Sequence, residues 1–208
     1  MFLPFFSIAL IALLGAMLPG PDFAIVTRNA ICYSKKAGYL TAFGIGSAIL
    51  IHMSYCILGL AIVISNSILL FNSIKYIGAI YLIYLGLNTL FLKHKKMKVV
   101  TENKKVKKQI SNLTAFKQGF LCNLLNPKAT IFFLSLFTVL IKPNTPITTQ
   151  IIFALEIFSI AIIWFSFLTY ILSHPFIKNV LEKSEKYIEK ILGAFLISFG
   201  VALAFFRK

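Results

Sequence analysis

The chain has 208 residues, 59% of them hydrophobic, a mean hydropathy of +0.88 and a formal net charge of +15. It is too apolar for an ordinary soluble domain, and uncharged runs of about twenty residues recur along it, the length a helix needs to cross a bilayer's hydrocarbon core. The positive charge does not point to nucleic acid: nine of the 21 basic side chains fall between Lys93 and Lys117, outside the apolar runs, and no RNA- or DNA-reading motif accompanies them.

Taken in order, the apolar runs predict six membrane spans, at roughly 3–33, 38–64, 68–92, 117–141, 148–173 and 188–206. The opening run has no basic leader and no convincing cleavage site, so it reads as a retained helix rather than a signal peptide. Inside the first span the stretch Leu18-Pro19-Gly20-Pro21-Asp22-Phe23 breaks the helix, and inside the fourth Asn123-Leu124-Leu125-Asn126-Pro127-Lys128 does the same. In lipid every backbone N–H and C=O needs a partner, so such breaks survive only where they face protein or a water-filled cavity.

Charge sets the expected orientation. Lys35 and Lys36 lie between spans one and two, the lysine-rich loop between three and four, and Lys178, Lys183, Lys186 and Lys190 between five and six. The alternate loops are nearly bare, with no charge from Ser65 to Ile74 and only Lys142 near Pro143. By the positive-inside rule the first, third and fifth loops are cytoplasmic, and both termini lie outside. Three spans in each half, an odd number, put the halves in opposite orientations. The expected fold is therefore an all-α integral membrane protein, six transmembrane helices in a 3+3 inverted repeat, with broken helices in spans one and four. Repeat one covers 1–92, the basic cytoplasmic loop 93–116 and repeat two 117–208, all in one transmembrane domain.

Each break has the grammar of a half-helix start. Gly20 precedes Pro21 and Asn126 precedes Pro127; Asn caps well, and Pro suits the first helical position. The amides freed there, with the positive end of the helix dipole, make a place for a carboxylate. Asp22 is favoured by that dipole. Lys128, at the matching position, is disfavoured by it, so Asp22 or a substrate carboxylate is expected to compensate its charge. A charge deep in a membrane costs about 2.5–3.5 kcal/mol on insertion scales, and such groups are functional candidates. The expected substrate-binding and coupling residues are Gly20, Pro21, Asp22, Asn29 (two turns on from Asp22), Asn123, Asn126, Pro127 and Lys128. A structural ion pair locking the two halves is the plainer alternative.

A second group carries less weight. His52, with Tyr55 one turn on, suits either a proton relay or a hydrogen-bonded packing role. Tyr81 and Tyr84, with Asn88, line one side of span three. Glu156 leads a polar stripe with Ser159, Ser166 and Tyr170, as a protonation site or a paired rim residue. Gly38, Ala42 and Gly46 form a small-residue stripe for close helix contact. Cys32, Cys56 and Cys122 follow no ligand spacing and read as core residues; His52, His94 and His174 lie far apart, so no metal and no cofactor is expected. No nucleophile–base pair stands out, which argues against an enzyme.

At these residues the chain resembles the lysine exporter family, the LysE/RhtB-type amino-acid exporters. The matching text is Pro19-Gly20-Pro21-Asp22-Phe23, Thr27-Arg28-Asn29-Ala30, Lys35-Lys36-Ala37-Gly38, Lys75-Tyr76-Ile77-Gly78-Ala79, Tyr81-Leu82-Ile83-Tyr84-Leu85-Gly86, Gly119 to Ala129, and Gly193-Ala194. The resemblance implies a multi-pass protein of the bacterial inner (plasma) membrane, a secondary transporter that exports amino acids or their derivatives by proton antiport. Asp22 and Lys128 match the family's motif positions; Glu156 matches none. The implied partners are an amino acid, protons and the lipid bilayer, with no nucleic acid, and homo-oligomers are left open. Two other readings stand beside this one. Divalent-cation efflux would need several ligands converging, with Asp22, Glu156, His52 and Cys56 on offer. A non-transporting membrane subunit would use the loop from Lys93 to Lys117 to bind its partner.

Overall fold

The computed structural model describes residues 2–66, 68–91, 110–141, 145–172, 187, 190–191, 193–198, 200–201 and 204–205. Seven α-helices carry most of them: α1 (Phe2–Met17), α2 (Pro21–Arg28), α3 (Lys35–Asn66), α4 (Ile68–Phe91), α5 (Asn112–Leu124), α6 (Pro127–Leu140) and α7 (Ile147–Leu172). The described residues from Tyr187 to Phe205 are helical too, and there is no strand among the described residues. An all-helical answer follows from the solvent, because a helix satisfies its own backbone where no water can.

The helical runs are interrupted where the sequence carries proline. The axis turns by 64° between α1 and α2 and by 60° between α5 and α6. Two single helices, within α3 and α7, are long and apolar enough to cross a membrane, and counting each bent pair as one span gives up to four. A five-residue π-helical turn, Asn29–Tyr33, joins α2 to α3. One boundary differs from expectation. Span four was placed from 117, but α5 starts at Asn112, because the Ser111 hydroxyl caps it by accepting the Thr114 N–H at 3.1 Å. Residues 112–116, expected in the basic loop, are therefore helix. The loop from Lys93 to Gln109, His94, His174 and the lysines at 178, 183 and 186 lie outside the described residues.

Glycines set how closely the helices pack. A Cβ at Gly44 would strike the backbone of Phe116, and one at Gly119 would strike the backbone carbonyl of Thr41. Thr41 also donates to Ala115 O at 3.1 Å, and further along His52 reaches Asn123 O. Partners rise together along both chains, so α3 and α5 run in the same direction, backbone on backbone. The expected Gly38–Ala42–Gly46 stripe faces α7, with Gly38 against Thr169 and Gly46 against Phe158 and Ile162, so α7 runs the other way. Phe5 meets Phe153 edge-on at 5.0 Å, and Leu13 shares a groove with Trp164, so α1 runs alongside α7. Gly86 against Gly193 and Gly200 against Ala79 set the last segment antiparallel to α4. The starts of α3 and α5, carrying Lys35, Lys36 and Lys117, thus lie at one end of the molecule.

Ile8, Ile45, Met53, Leu82, Phe137, Ile157 and Leu168 fill the centre. Large apolar side chains also cover the outside, among them Leu58, Ile77, Ile80 and Ile163. A water-soluble monomer rarely shows so much contiguous apolar surface; in lipid it costs nothing.

Candidate functional site

At the first break α1 closes with Leu18 N–H donating to Gly15 O at 3.3 Å. Gly20, in extended conformation, then starts α2 with no side-chain cap, Pro21 takes the first helical position and Asp22 sits in the first turn. At the second break the Asn126 amide donates to Asn123 O at 3.0 Å, ending α5. Asn126 Oδ1 then accepts the Lys128 N–H at 3.0 Å, and so caps α6. The two breaks obey one grammar with different words.

They also bind each other. Asn123 Nδ2 donates to Asp22 Oδ2 at 2.9 Å and Asn126 Nδ2 to the same oxygen at 3.5 Å. In return Lys128 Nζ donates to Pro19 O at 3.2 Å. Asp22 or a substrate carboxylate was expected to compensate Lys128, and in the structure the Lys128 ammonium donates to a backbone carbonyl. Pro19 O follows the C-terminal end of α1, where the helix dipole is negative, and that end holds the ammonium. Asp22 keeps one oxygen on the asparagines, and its Oδ1 is buried with no hydrogen-bond partner. The plain ion pair between the halves is not formed. Asn123 Oδ1 is likewise buried and unpartnered, and the Cys122 thiol lies near Asp22.

Between the breaks lies a cavity of about 60 Å³, the space of a few water molecules. One end is polar: Gly20, Pro21, Asp22, Asn123, Asn126 and Lys128. The remaining wall is apolar, with Ala12, Gly15, Ala16, Ile49, Phe132, Phe133, Ile157, Ala161 and Phe165 among its residues. One carboxylate and one ammonium face a short apolar sleeve.

The cavity therefore gathers six of the eight residues assigned to binding. Pro127 is exposed at the start of α6 and stands outside the lining. Asn29 shares the Asp22 face but lies about 10 Å further along the helix at 1.5 Å per residue. There it donates to Thr41 Oγ1 at 2.8 Å and Gln118 Oε1 at 2.9 Å, tying the π-turn to α3 and α5.

His52 is 1% exposed and braces the second break from behind. Its Nε2 meets Asn123 O at 3.2 Å; a carbonyl only accepts, so this nitrogen carries the proton, and in the neutral ring Nδ1 accepts from the Tyr55 hydroxyl. Tyr55 in turn reaches Thr130 on α6. Tyr81 and Tyr84 stand 6.4 Å apart ring to ring, away from the cavity lining, with Tyr84 exposed. Glu156 is also outside the lining, although its neighbour Ile157 is part of it, and Glu156 Oε2 is buried without a partner. Ser159 and Tyr170 are exposed and Glu156 and Ser166 half-buried, so the stripe led by Glu156 lies on the outward side of α7. Among the described residues no three of His, Cys, Asp and Glu stand close enough to hold a metal ion.

Sequence reasoning missed Cys122, Gln118 and Gly15. Cys122 was legible, since it lies one helical turn before Asn126 and beside Asn123. Gly15 carried no signal, because its role depends on what packs against it from α6.

A cavity where two half-helix ends from distant parts of a chain meet, in an apolar helical protein, is an arrangement that many membrane carriers share. The particular family follows from comparison: the sequence model described as LysE type translocator matches residues 13–206. The chain belongs to that family and is a membrane translocator, not an enzyme. It is 35% identical over 198 residues to the uncharacterized membrane protein YrhP of Bacillus subtilis, covering 92% of this chain and 93% of that one. It is 30% identical over 208 residues to the threonine efflux protein of Escherichia coli K12, covering both chains in full (100% of each). To the leucine efflux protein of Salmonella choleraesuis it is 32% identical over 200 residues, 93% of this chain and 91% of that one. No solved structure matches the chain.

Proposed function

We propose that this protein is a secondary transporter that exports amino acids from the cytoplasm by proton antiport, working by alternating access at the cavity between the two breaks. The observation that carries this reading is the pair of unpartnered acceptors there, Asp22 Oδ1 and Asn123 Oδ1. A substrate ammonium has three protons to donate and would satisfy both. The substrate carboxylate would draw Lys128 away from Pro19 O, exchanging a carbonyl partner for a charged one. Protonation of Asp22 would remove the ammonium's counter-charge and release it, coupling export to proton entry. One charge falling through 100 mV is worth about 2.3 kcal/mol, which sustains a roughly fifty-fold gradient. A single proton per substrate is sufficient.

The similarity to threonine and leucine efflux proteins supports a neutral amino acid as cargo. So does the cavity, which offers one carboxylate and one ammonium and no further charge for a cationic or acidic side chain. The cavity is smaller than an amino acid, as suits an arrangement that opens to load. Six spans in a 3+3 inverted repeat, both termini outside and a home in the bacterial plasma membrane complete the proposal. The alternation of helix directions and the shared end of Lys35, Lys36 and Lys117 support it. The divalent-cation reading finds no ligand cluster among the described residues to favour it.

The test is export from loaded proteoliposomes under an imposed proton gradient. Losing one member of a buried charge arrangement costs about 2–5 kcal/mol, so Asp22→Asn is expected to lower transport about 30-fold or more. Export by the variant that is undiminished and still proton-driven overturns the assignment.

A further inference from the structure

Resting on the reading of the cavity as an amino-acid site, we propose that the contact between Gly15 and Phe132 sets the upper size of the side chain that is carried. Both residues line the apolar wall, one from each half of the chain. Gly15 lies in the last turn of α1, and Phe132 is 7% exposed on α6. A Cβ built on Gly15 would strike the Cζ of Phe132 and come within 2.9 Å of its Cε1. The ring tip therefore fills the place that a side chain at position 15 would occupy. Its other side is the cavity.

This geometry makes the ring a stop whose position depends on a missing methyl group. Phe133 packs on Phe132 edge-on, with centroids 5.5 Å apart, and closes the way back toward α3, since Phe133 itself leans on His52. Adding a methyl at position 15 pushes the ring tip away from α1, and the cavity that Phe132 lines is open space beside it. Trimming the ring has the opposite effect and lengthens the sleeve. One methylene of misfit in an apolar pocket is worth about 10- to 200-fold in discrimination, so both changes should be visible as a shift in the size ranking of substrates.

The experiment measures efflux of alanine, threonine, leucine and phenylalanine from proteoliposomes holding the full chain, as wild type, Gly15→Ala, Phe132→Leu and the double variant. In Gly15→Ala the leucine rate is expected to fall about tenfold or more relative to alanine. The double variant should restore leucine, and Phe132→Leu alone should raise phenylalanine relative to alanine. If Gly15→Ala lowers every substrate equally or leaves the ranking unchanged, the proposal is overturned while amino-acid export stands. Should Gly15→Ala fail to insert, Phe132→Leu decides alone, and an unchanged ranking there is fatal. Wild-type vesicles that move none of the four overturn the amino-acid reading, and this proposal with it.

Discussion

The two breaks solve one problem in unlike ways. The second caps itself: Asn126 Oδ1 takes the Lys128 amide while its own side-chain N–H reaches across to Asp22. The first has only Gly20, whose lack of a side chain leaves the start of α2 to Pro21 and the charge of Asp22. The carboxylate thus sits where a helix dipole welcomes it, and the ammonium of Lys128 sits at the start of a helix that repels it. That mismatch is relieved from the other half, by Pro19 O. Each break leans on the other, the first through the asparagines that hold Asp22 and the second through the carbonyl that holds Lys128. A carrier has reason to keep one charge settled and the other ready to leave its partner for a ligand.

This asymmetry can be tested by substitution, and the largest effect is expected at Lys128. Glutamine there can still donate to Pro19 O but carries no charge. If the ammonium serves the substrate carboxylate, Lys128→Gln should lower transport in proteoliposomes about 30-fold or more; retained transport would reduce Lys128 to a brace. Next comes Asn126→Ala, which removes the cap of α6. Loss of such a cap costs about 1 kcal/mol, a fall in Tm of about 2–4 °C for a chain of this size, measurable by thermal unfolding in detergent. Asn126→Ser should recover much of it. The smallest effect belongs to Gly20→Ala. The backbone there is extended, and a Cβ would come within 3.3 Å only of Lys128 Nζ, the far end of a long side chain, so stability should move by less than about 0.5 kcal/mol. A first break as sensitive as the second would remove the distinction.

Much of this was legible in the chain. Prolines and caps locate both breaks to the residue, because proline's missing N–H and fixed φ act locally. The small-residue stripe of α3 also read correctly, since a period of four residues marks one helix face. What could not be read depends on separations the sequence does not contain. That Lys128 would choose a carbonyl over Asp22 turns on a few ångströms between halves more than a hundred positions apart. Asn29 was expected two turns on from Asp22, but its partners Thr41 and Gln118 could not be read, because periodicity gives direction around a helix and not what lies opposite. His52 was recognised as a polar residue in lipid, yet its partner, the backbone of Asn123, has no side-chain signature. The start of α5 was not legible for a simpler reason: Ser111 follows a lysine-rich stretch without apolar periodicity, and a capping hydroxyl alone does not mark a helix start.

The contact between α3 and α5 has a practical corollary. Gly44 and Gly119 let the two backbones touch, and Thr41 bonds to carbonyls on both helices; neither helix can slide without lifting over the other. If the protein works by the alternating access proposed above, the pair would serve as a chassis shared by the two halves of the chain, against which the other parts move. Lys36 and Lys117, exposed on the two helices at the same end, are thus suited to hold a pair of spectroscopic labels; on that reading their separation should stay constant, an internal ruler for distances measured to α1, α2 or α6.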